Sequence, residues 1–166
     1  MIHNDIIASM LKKIVITDPT EKDWKILQEM NYQVYLNDKE NDDDLDLDRP
    51  FSKSGVDYYK KLAKGLYGKC FIASMDGKQA GYIALSIKDF GYRKSKYVEI
   101  ENIGVQPEYR SCGIGKLLMK TAEKWAKRQG ATKLFVSAYW GNKKAIKFYK
   151  TYGFYETGIE LDKKID

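Results

Sequence analysis

A chain of 166 residues, 43% hydrophobic and 31% charged, has apolar material for one core and too much of it for a disordered segment. No apolar run approaches the roughly 18–20 residues of a membrane span, and the start, with Asp5 among its apolar residues and lysines only at Lys12 and Lys13, does not read as a signal peptide. Two cysteines, Cys70 and Cys112, and one histidine, His3, exclude a disulfide scaffold and match no metal-ligand spacing, so no metal is expected and the thiols are expected reduced, in a cytoplasmic protein.

Residues 1–13 read as an N-terminal extension of a single domain covering 1–166. Ile14 to Thr17 is a short strand, and Asp18-Pro19-Thr20-Glu21 has capping-box spacing with proline at the first helical position. The helix that follows should bury Trp24, Leu27, Met30 and Val34 or Tyr35. An acidic loop over 37–53 breaks regular structure. A second helix is predicted from Val56 to about Lys64, stopped by Gly65 and Gly68.

Asp76-Gly77 between two apolar runs, Lys69 to Met75 and Gln79 to Ile87, predicts a β-hairpin. Tyr97 to Val105 alternates as a strand, with Val98 and Ile100 on one face and Glu99 and Glu101 on the other. Ile114, Leu117, Leu118, Thr121, Ala122, Trp125 and Ala126 then follow a helical period closed by Gly130. Lys133 to Tyr139 reads as an uninterrupted strand buried on both faces or nearly so. Asn142 caps a helix to about Tyr152, and a last β segment runs from Phe154 to near Ile165. Strand–helix–strand crossovers in the second half imply parallel pairing beside the antiparallel hairpin, in an α/β fold with a mixed sheet and helices on both faces.

The net charge is +6, but Asn37 to Asp48 is strongly acidic while Lys116 to Lys150 is mostly basic in its charges. A basic surface admits nucleic acid as a partner, yet no recognition helix or aromatic-plus-basic RNA motif accompanies it, so no nucleic acid is expected. Lysines coating two helices account for the excess.

The stretch Arg110-Ser111-Cys112-Gly113-Ile114-Gly115-Lys116 directly precedes a helix. A Walker loop needs a glycine where Arg110 stands and a Ser or Thr where Leu117 stands, and a dinucleotide fingerprint needs a third glycine at Leu118. Neither fits. What remains is a glycine-lined helix start, which can hold an anion through unpaired N–H groups and the positive end of the dipole.

Val105 to Leu118, with Arg110-x-x-Gly113-x-Gly115, resembles the acetyl-CoA signature of the GCN5-related N-acetyltransferase superfamily. Asn142-Lys-Lys-Ala145-Ile-Lys-Phe148-Tyr149-Lys-Thr-Tyr-Gly153-Phe154 is similar to that family's second signature and follows in family order. The resemblance implies a mostly antiparallel sheet of six to seven strands and acetyl-CoA as cosubstrate. It implies that the amides of Arg110, Ser111, Cys112, Gly113, Ile114, Gly115 and Lys116 hold the diphosphate. Ile103, Gly104 and Val105 would take the pantetheine arm along a splayed strand edge, and Asn142 and Phe148 would contact the cofactor. Tyr149 would serve the departing thiolate, and the Val105 N–H would be the oxyanion donor.

For the general base, Glu99 stands six residues before Val105, the spacing used in some relatives, and Glu101 is the other contender. Ordered water without a dedicated base, and two carboxylates merely paired with lysines, are the alternatives. The activity implied is acetyl transfer to a primary amine by direct attack in a ternary complex, with a small cationic amine as acceptor. A protein N-terminal or lysine acetyltransferase with a peptide substrate, and an acyl-CoA-binding sensor without catalysis, are the rivals. Val136 to Asn142 lacks the arginine that N-terminal acetyltransferases often carry before the asparagine, which favours the small amine. Edge strands and the C-terminal β segment make a homodimer plausible.

Overall fold

The computed structural model describes residues 13–165. All but Lys13 of the expected N-terminal extension, His3 included, lies outside the described residues. In chain order the elements are β1 (Ile14–Thr17), α1 (Trp24–Asp38), α2 (Lys53–Ala63), β2 (Lys69–Met75), β3 (Lys78–Lys88), β4 (Tyr97–Val105), α3 (Ile114–Arg128), β5 (Lys133–Phe135) and α4 (Lys143–Lys150). Short 3-10 turns stand at Glu21–Asp23, Arg49–Phe51 and Pro107–Tyr109.

The sheet runs in the order β1-β2-β3-β4-β5. The first three pairings are antiparallel and β4 with β5 is parallel, joined through α3. Alternation along the strands feeds two cores. Phe71, Ala73, Ile83, Leu85, Val98 and Ile100 pack on the apolar stripe of α3. Cys70, Ile72, Tyr82 and Ala84 turn the other way, onto Leu27 and Met30 of α1 and Tyr59 and Leu62 of α2. The predicted hairpin forms with Asp76 at φ 51 and Gly77 at φ 79, the left-handed pair that a two-residue turn demands.

Three expectations shift. The capping box lies two residues further on, where the Thr20 N–H and hydroxyl both donate to Asp23 Oδ2 at 2.7 Å. The second helix begins at Lys53, before Val56, because Ser52 caps it: its Oγ accepts from the Gly55 N–H at 3.1 Å. Ser52→Ala should lower stability by about 1 kcal/mol, read as a fall in Tm with an unchanged denaturant m-value.

The largest correction is at the end of the sheet. The strand expected over Lys133 to Tyr139 is only Lys133–Phe135, with Lys133 exposed and Leu134 and Phe135 half-buried. The β segment expected from Phe154 to Ile165 joins no ladder, and Ile159, Leu161 and Ile165 are 84%, 91% and 90% exposed. The sheet of the described residues therefore has five strands, not six to seven. Apolar alternation reports fitness for a pleated surface, whereas a strand exists only where a neighbour offers its edge.

Between β3 and β4 the register slips: Ala84 faces Asn102 and Leu85 faces Ile100, leaving Glu101 as the extra residue of a β-bulge. The slip turns Ile103 and Val105 toward the α3 side and Gly104 toward α1. A Cβ on Gly104 would lie 2.9 Å from Val34 Cγ2, so glycine here lets α1 settle onto the end of β4.

Candidate active site

The glycine stretch forms one turn from the end of β4 into α3. Ser111 at φ 61 and Gly113 at φ 87 bend the chain through the left-handed region. The first intrahelical bond of α3 runs from the Leu117 N–H to the Gly113 carbonyl at 3.1 Å, and Gly113 brings no capping side chain. The N–H groups of Ile114, Gly115 and Lys116 thus stand before the helix ladder at the positive end of its dipole. Arg110 does not point away; its Nε donates to the Val105 carbonyl at 3.2 Å. Cys112 is half-buried against the α3 core.

Beside this turn β4 has an open edge. β5 pairs with it only from Tyr97 to Glu99, so among the described residues the outer edge of Ile100 to Val105 has no strand partner. The Gln106 N–H donates to the Ala80 carbonyl at 2.9 Å. In an antiparallel ladder residues alternate between facing the neighbour and facing away, so the N–H and C=O groups of Val105 and Ile103 point outward, into the gap. One unpaired edge therefore ends where the helix N-terminus begins.

The second signature closes the far side. Asn142 Oδ1 accepts from the Ala145 N–H at 3.1 Å and caps α4. Phe148 lies against Gly115: a Cβ there would be 3.2 Å from the ring, so the two signatures meet through a missing side chain. Tyr149 sits between the Phe148 and Phe154 rings, at centroid distances of 5.5 and 5.6 Å. Burial, then the charge of Asp38, push its hydroxyl up to about 12.

In the sequence, residues 37–53 read as an acidic loop that breaks regular structure. Its first residues end α1 and touch the second signature: Asn142 Nδ2 donates to Asp38 Oδ1 at 3.4 Å, and the Tyr139 hydroxyl to Asp42 Oδ2 at 2.7 Å. Partners about a hundred residues apart leave no spacing to read. A visible signal was the acid at the C-terminal end of a helix, where the dipole disfavours it.

The two glutamates have different surroundings. Glu99 pairs with Lys88 at 2.8 Å, beside the β4–β5 pairing. Glu101, the bulged residue two positions past the end of the β4–β5 pairing, accepts from the Tyr58 hydroxyl at 2.8 Å. Burial and Glu101 itself hold that hydroxyl far above the ordinary tyrosine range, so Tyr58 remains a donor. Behind it, Tyr59 donates to the Asn31 side chain, which donates to the Tyr82 hydroxyl at 2.6 Å, a buried polar chain.

A groove of about 330 Å³ runs along β5 and residues 152–157; it shares Tyr97 and Phe154 with the residues just described but includes none of Arg110 to Lys116, Glu99, Glu101, Asn142, Phe148 or Tyr149. Among the described residues no group of three or more His, Cys, Asp or Glu could hold a metal ion, and no helix is long and apolar enough to cross a membrane.

The model of the acetyltransferase (GNAT) family matches residues 28–154, from within α1 to the end of the second signature. The chain belongs to the GNAT family. Its fold agrees with that membership: the structure of an aminoglycoside N-acetyltransferase, AAC(6')-Iy in complex with CoA, superposes with a TM-score of 0.70, over 93% of this chain and 95% of that one, at 19% identity. An uncharacterized N-acetyltransferase of Methanocaldococcus jannaschii is 34% identical over 103 residues, 61% of this GNAT chain and 46% of that protein. Streptothricin acetyltransferase of Streptomyces lavendulae is 34% identical over 93 residues, 55% of this chain and 47% of that protein. The chain spans about half the length of these two relatives.

Proposed function

We propose that this protein is an acetyl-CoA-dependent N-acetyltransferase whose acceptor is a primary amine on a small cationic molecule. The observation that carries it is the open edge of β4 ending at the uncapped start of α3. A long anionic thioester has matching needs: donors for phosphates at one end, an unpaired strand edge for amides along its arm, and a narrow exit for sulfur. Acetyl-CoA supplies the activated acetyl group.

The amides from Arg110 to Lys116 hold the diphosphate, with Lys116 adding charge at the helix start. Ile103 offers its outward N–H and C=O groups to the arm, with Gly104 beyond it; the Val105 carbonyl is held by Arg110 Nε, and the Val105 N–H can donate to a carbonyl oxygen in the gap. Phe148 and Asn142 line the slot. The incoming ammonium must lose a proton before its nitrogen can attack, and Glu101, two positions past the β4–β5 pairing, is the favoured acceptor, directly or through one water. Glu99 is less suited, because Lys88 already neutralises it. As the new C–N bond forms and the C–S bond breaks, the electron pair leaves on sulfur and Tyr149 gives its hydroxyl proton there. Solvent restores that proton.

Support for a cationic acceptor comes from Asp38 and Asp42, held beside Asn142 and Tyr139, and from the aminoglycoside and streptothricin acetyltransferases among the similar proteins. Free thiols at Cys70 and Cys112 fit a cytoplasmic setting.

The test is CoA release from a panel of small amines, neutral and cationic, and of peptides. Turnover is expected with cationic small amines, and Glu101→Gln should lower kcat/KM about tenfold or more, with a smaller loss for Glu99→Gln. Turnover of peptides alone would assign a protein substrate, and CoA binding without any turnover would make the chain a sensor.

A further inference from the structure

The two glutamates of β4 are held in opposite ways. Glu99 meets a cation, the Lys88 ammonium at 2.8 Å. Glu101, the extra residue of the bulge, meets none: among the described residues it forms no ion pair, and its one hydrogen bond is that from the Tyr58 hydroxyl to Oε2 at 2.8 Å. A phenol is neutral and carries a single proton. It can therefore fix one carboxylate oxygen without cancelling the charge, and it leaves the other oxygen to accept elsewhere.

Tyr58 has the support that such a role requires. It is half-buried on α2, and its ring meets those of Tyr59 and Tyr67 edge-on, each at a centroid distance of 5.1 Å. The Tyr59 hydroxyl is committed to a separate buried chain, through Asn31 of α1 to Tyr82 of β3. Ala84 and Leu85, which face the bulge from β3, offer the Glu101 side chain no polar partner. A glutamate side chain turns about three bonds, so without Tyr58 the carboxylate would spread over several rotamers.

We propose that Tyr58 is a positioning residue for Glu101: its hydroxyl holds Oε2 toward α2 and leaves Oε1 to take the proton of the incoming ammonium. A cationic amine then supplies the counter-charge at Glu101 that Lys88 supplies at Glu99. The inference rests on Glu101 being the proton acceptor of the proposed reaction.

Tyr58→Phe deletes the hydroxyl and keeps the ring beside Tyr59 and Tyr67. With a cationic amine, kcat should fall about fivefold or more, while KM for acetyl-CoA stays within about twofold and Tm within about 2 °C of the parent. In a Glu101→Gln background the same substitution should change kcat by less than about twofold, because a residue that acts through Glu101 has nothing left to position. Tyr59→Phe removes the neighbouring hydroxyl of the same helix and should lower Tm with kcat within about twofold. The contact itself is read by NMR of ligand-free protein carrying ¹³Cζ-tyrosine, with the Tyr58 signal assigned from Tyr58→Phe. That signal should shift on Glu101→Gln and stay in place on Glu99→Gln.

A Tyr58 signal that ignores Glu101→Gln overturns the proposal. So does a Tyr58→Phe loss of equal size in both backgrounds, or an equal loss in Tyr59→Phe, since the tyrosine would then serve only the packing of α2. Unchanged kcat in Tyr58→Phe, where Glu101→Gln is slow, overturns the positioning role and leaves Glu101 as proton acceptor. Unchanged turnover in Glu101→Gln, or no turnover of any amine by the parent, overturns the acceptor role itself and the positioning role with it, whatever the Tyr58 signal does.

Discussion

Tyr149→Phe should lower kcat by about 10²-fold or more while leaving KM for acetyl-CoA nearly unchanged. The substitution removes one hydroxyl and keeps the ring between Phe148 and Phe154, so Tm should stay within about 2 °C of the parent. That combination separates a proton donor from a packed tyrosine. If Tyr149 served only the core, kcat would scarcely move. If it were a binding residue, KM would carry the loss. Steady-state kinetics with a cationic amine, beside a thermal melt of each protein, decides among the three. The pH dependence adds a check: a donor whose ionisation is pushed up to about 12 by burial and by Asp38 stays protonated through neutral pH. The parent should therefore show no loss of kcat from this group until strongly alkaline pH.

The second large effect is expected at Gly113, which precedes α3 at φ 87. Valine there would have to adopt a left-handed conformation that is a clear outlier for a β-branched residue. The strain of about 1–2 kcal/mol or more would be relieved by rotating the turn, which redirects the N–H groups at the helix start. Parent protein with CoA at a hundred times its Kd gains about 2.7 kcal/mol, a rise in Tm of about 5–10 °C for a chain of this size. Gly113→Val should melt a few degrees lower without CoA and gain nothing from it. A variant that keeps the full CoA shift would place the diphosphate somewhere other than this turn.

Much of the site was legible because it is local. Phe148 and Tyr149 stand out through the family resemblance, whereas the helix start after Gly113 and the N-cap at Asn142 are each set by spacing along one segment and form as expected. The hairpin at Asp76-Gly77 and the stripe of α3 are of the same kind. Less legible were features made by distant partners. Glu99 and Glu101 look equivalent along an alternating strand. Only the bulge opposite Ala84 and Leu85, with Lys88 on one glutamate and Tyr58 on the other, makes them different. The acids Asp38 and Asp42 read as part of a solvated loop until Asn142 and Tyr139 are brought against them.

The end of the sheet shows the same limit from the other side. Lys133 to Tyr139 and Phe154 to Ile165 carry apolar residues suited to strands, yet only Lys133–Phe135 is one. By itself the sequence determined the hairpin turn, the Asn142 cap, the stripe of α3 and the order of elements as far as α4, since these follow from contacts within a few residues. Tertiary structure alone decided where β5 parts from β4, which backbone groups face the gap, and which partners Glu99 and Glu101 take. Those outcomes depend on which edges and side chains meet across the fold, and no local period encodes such a meeting.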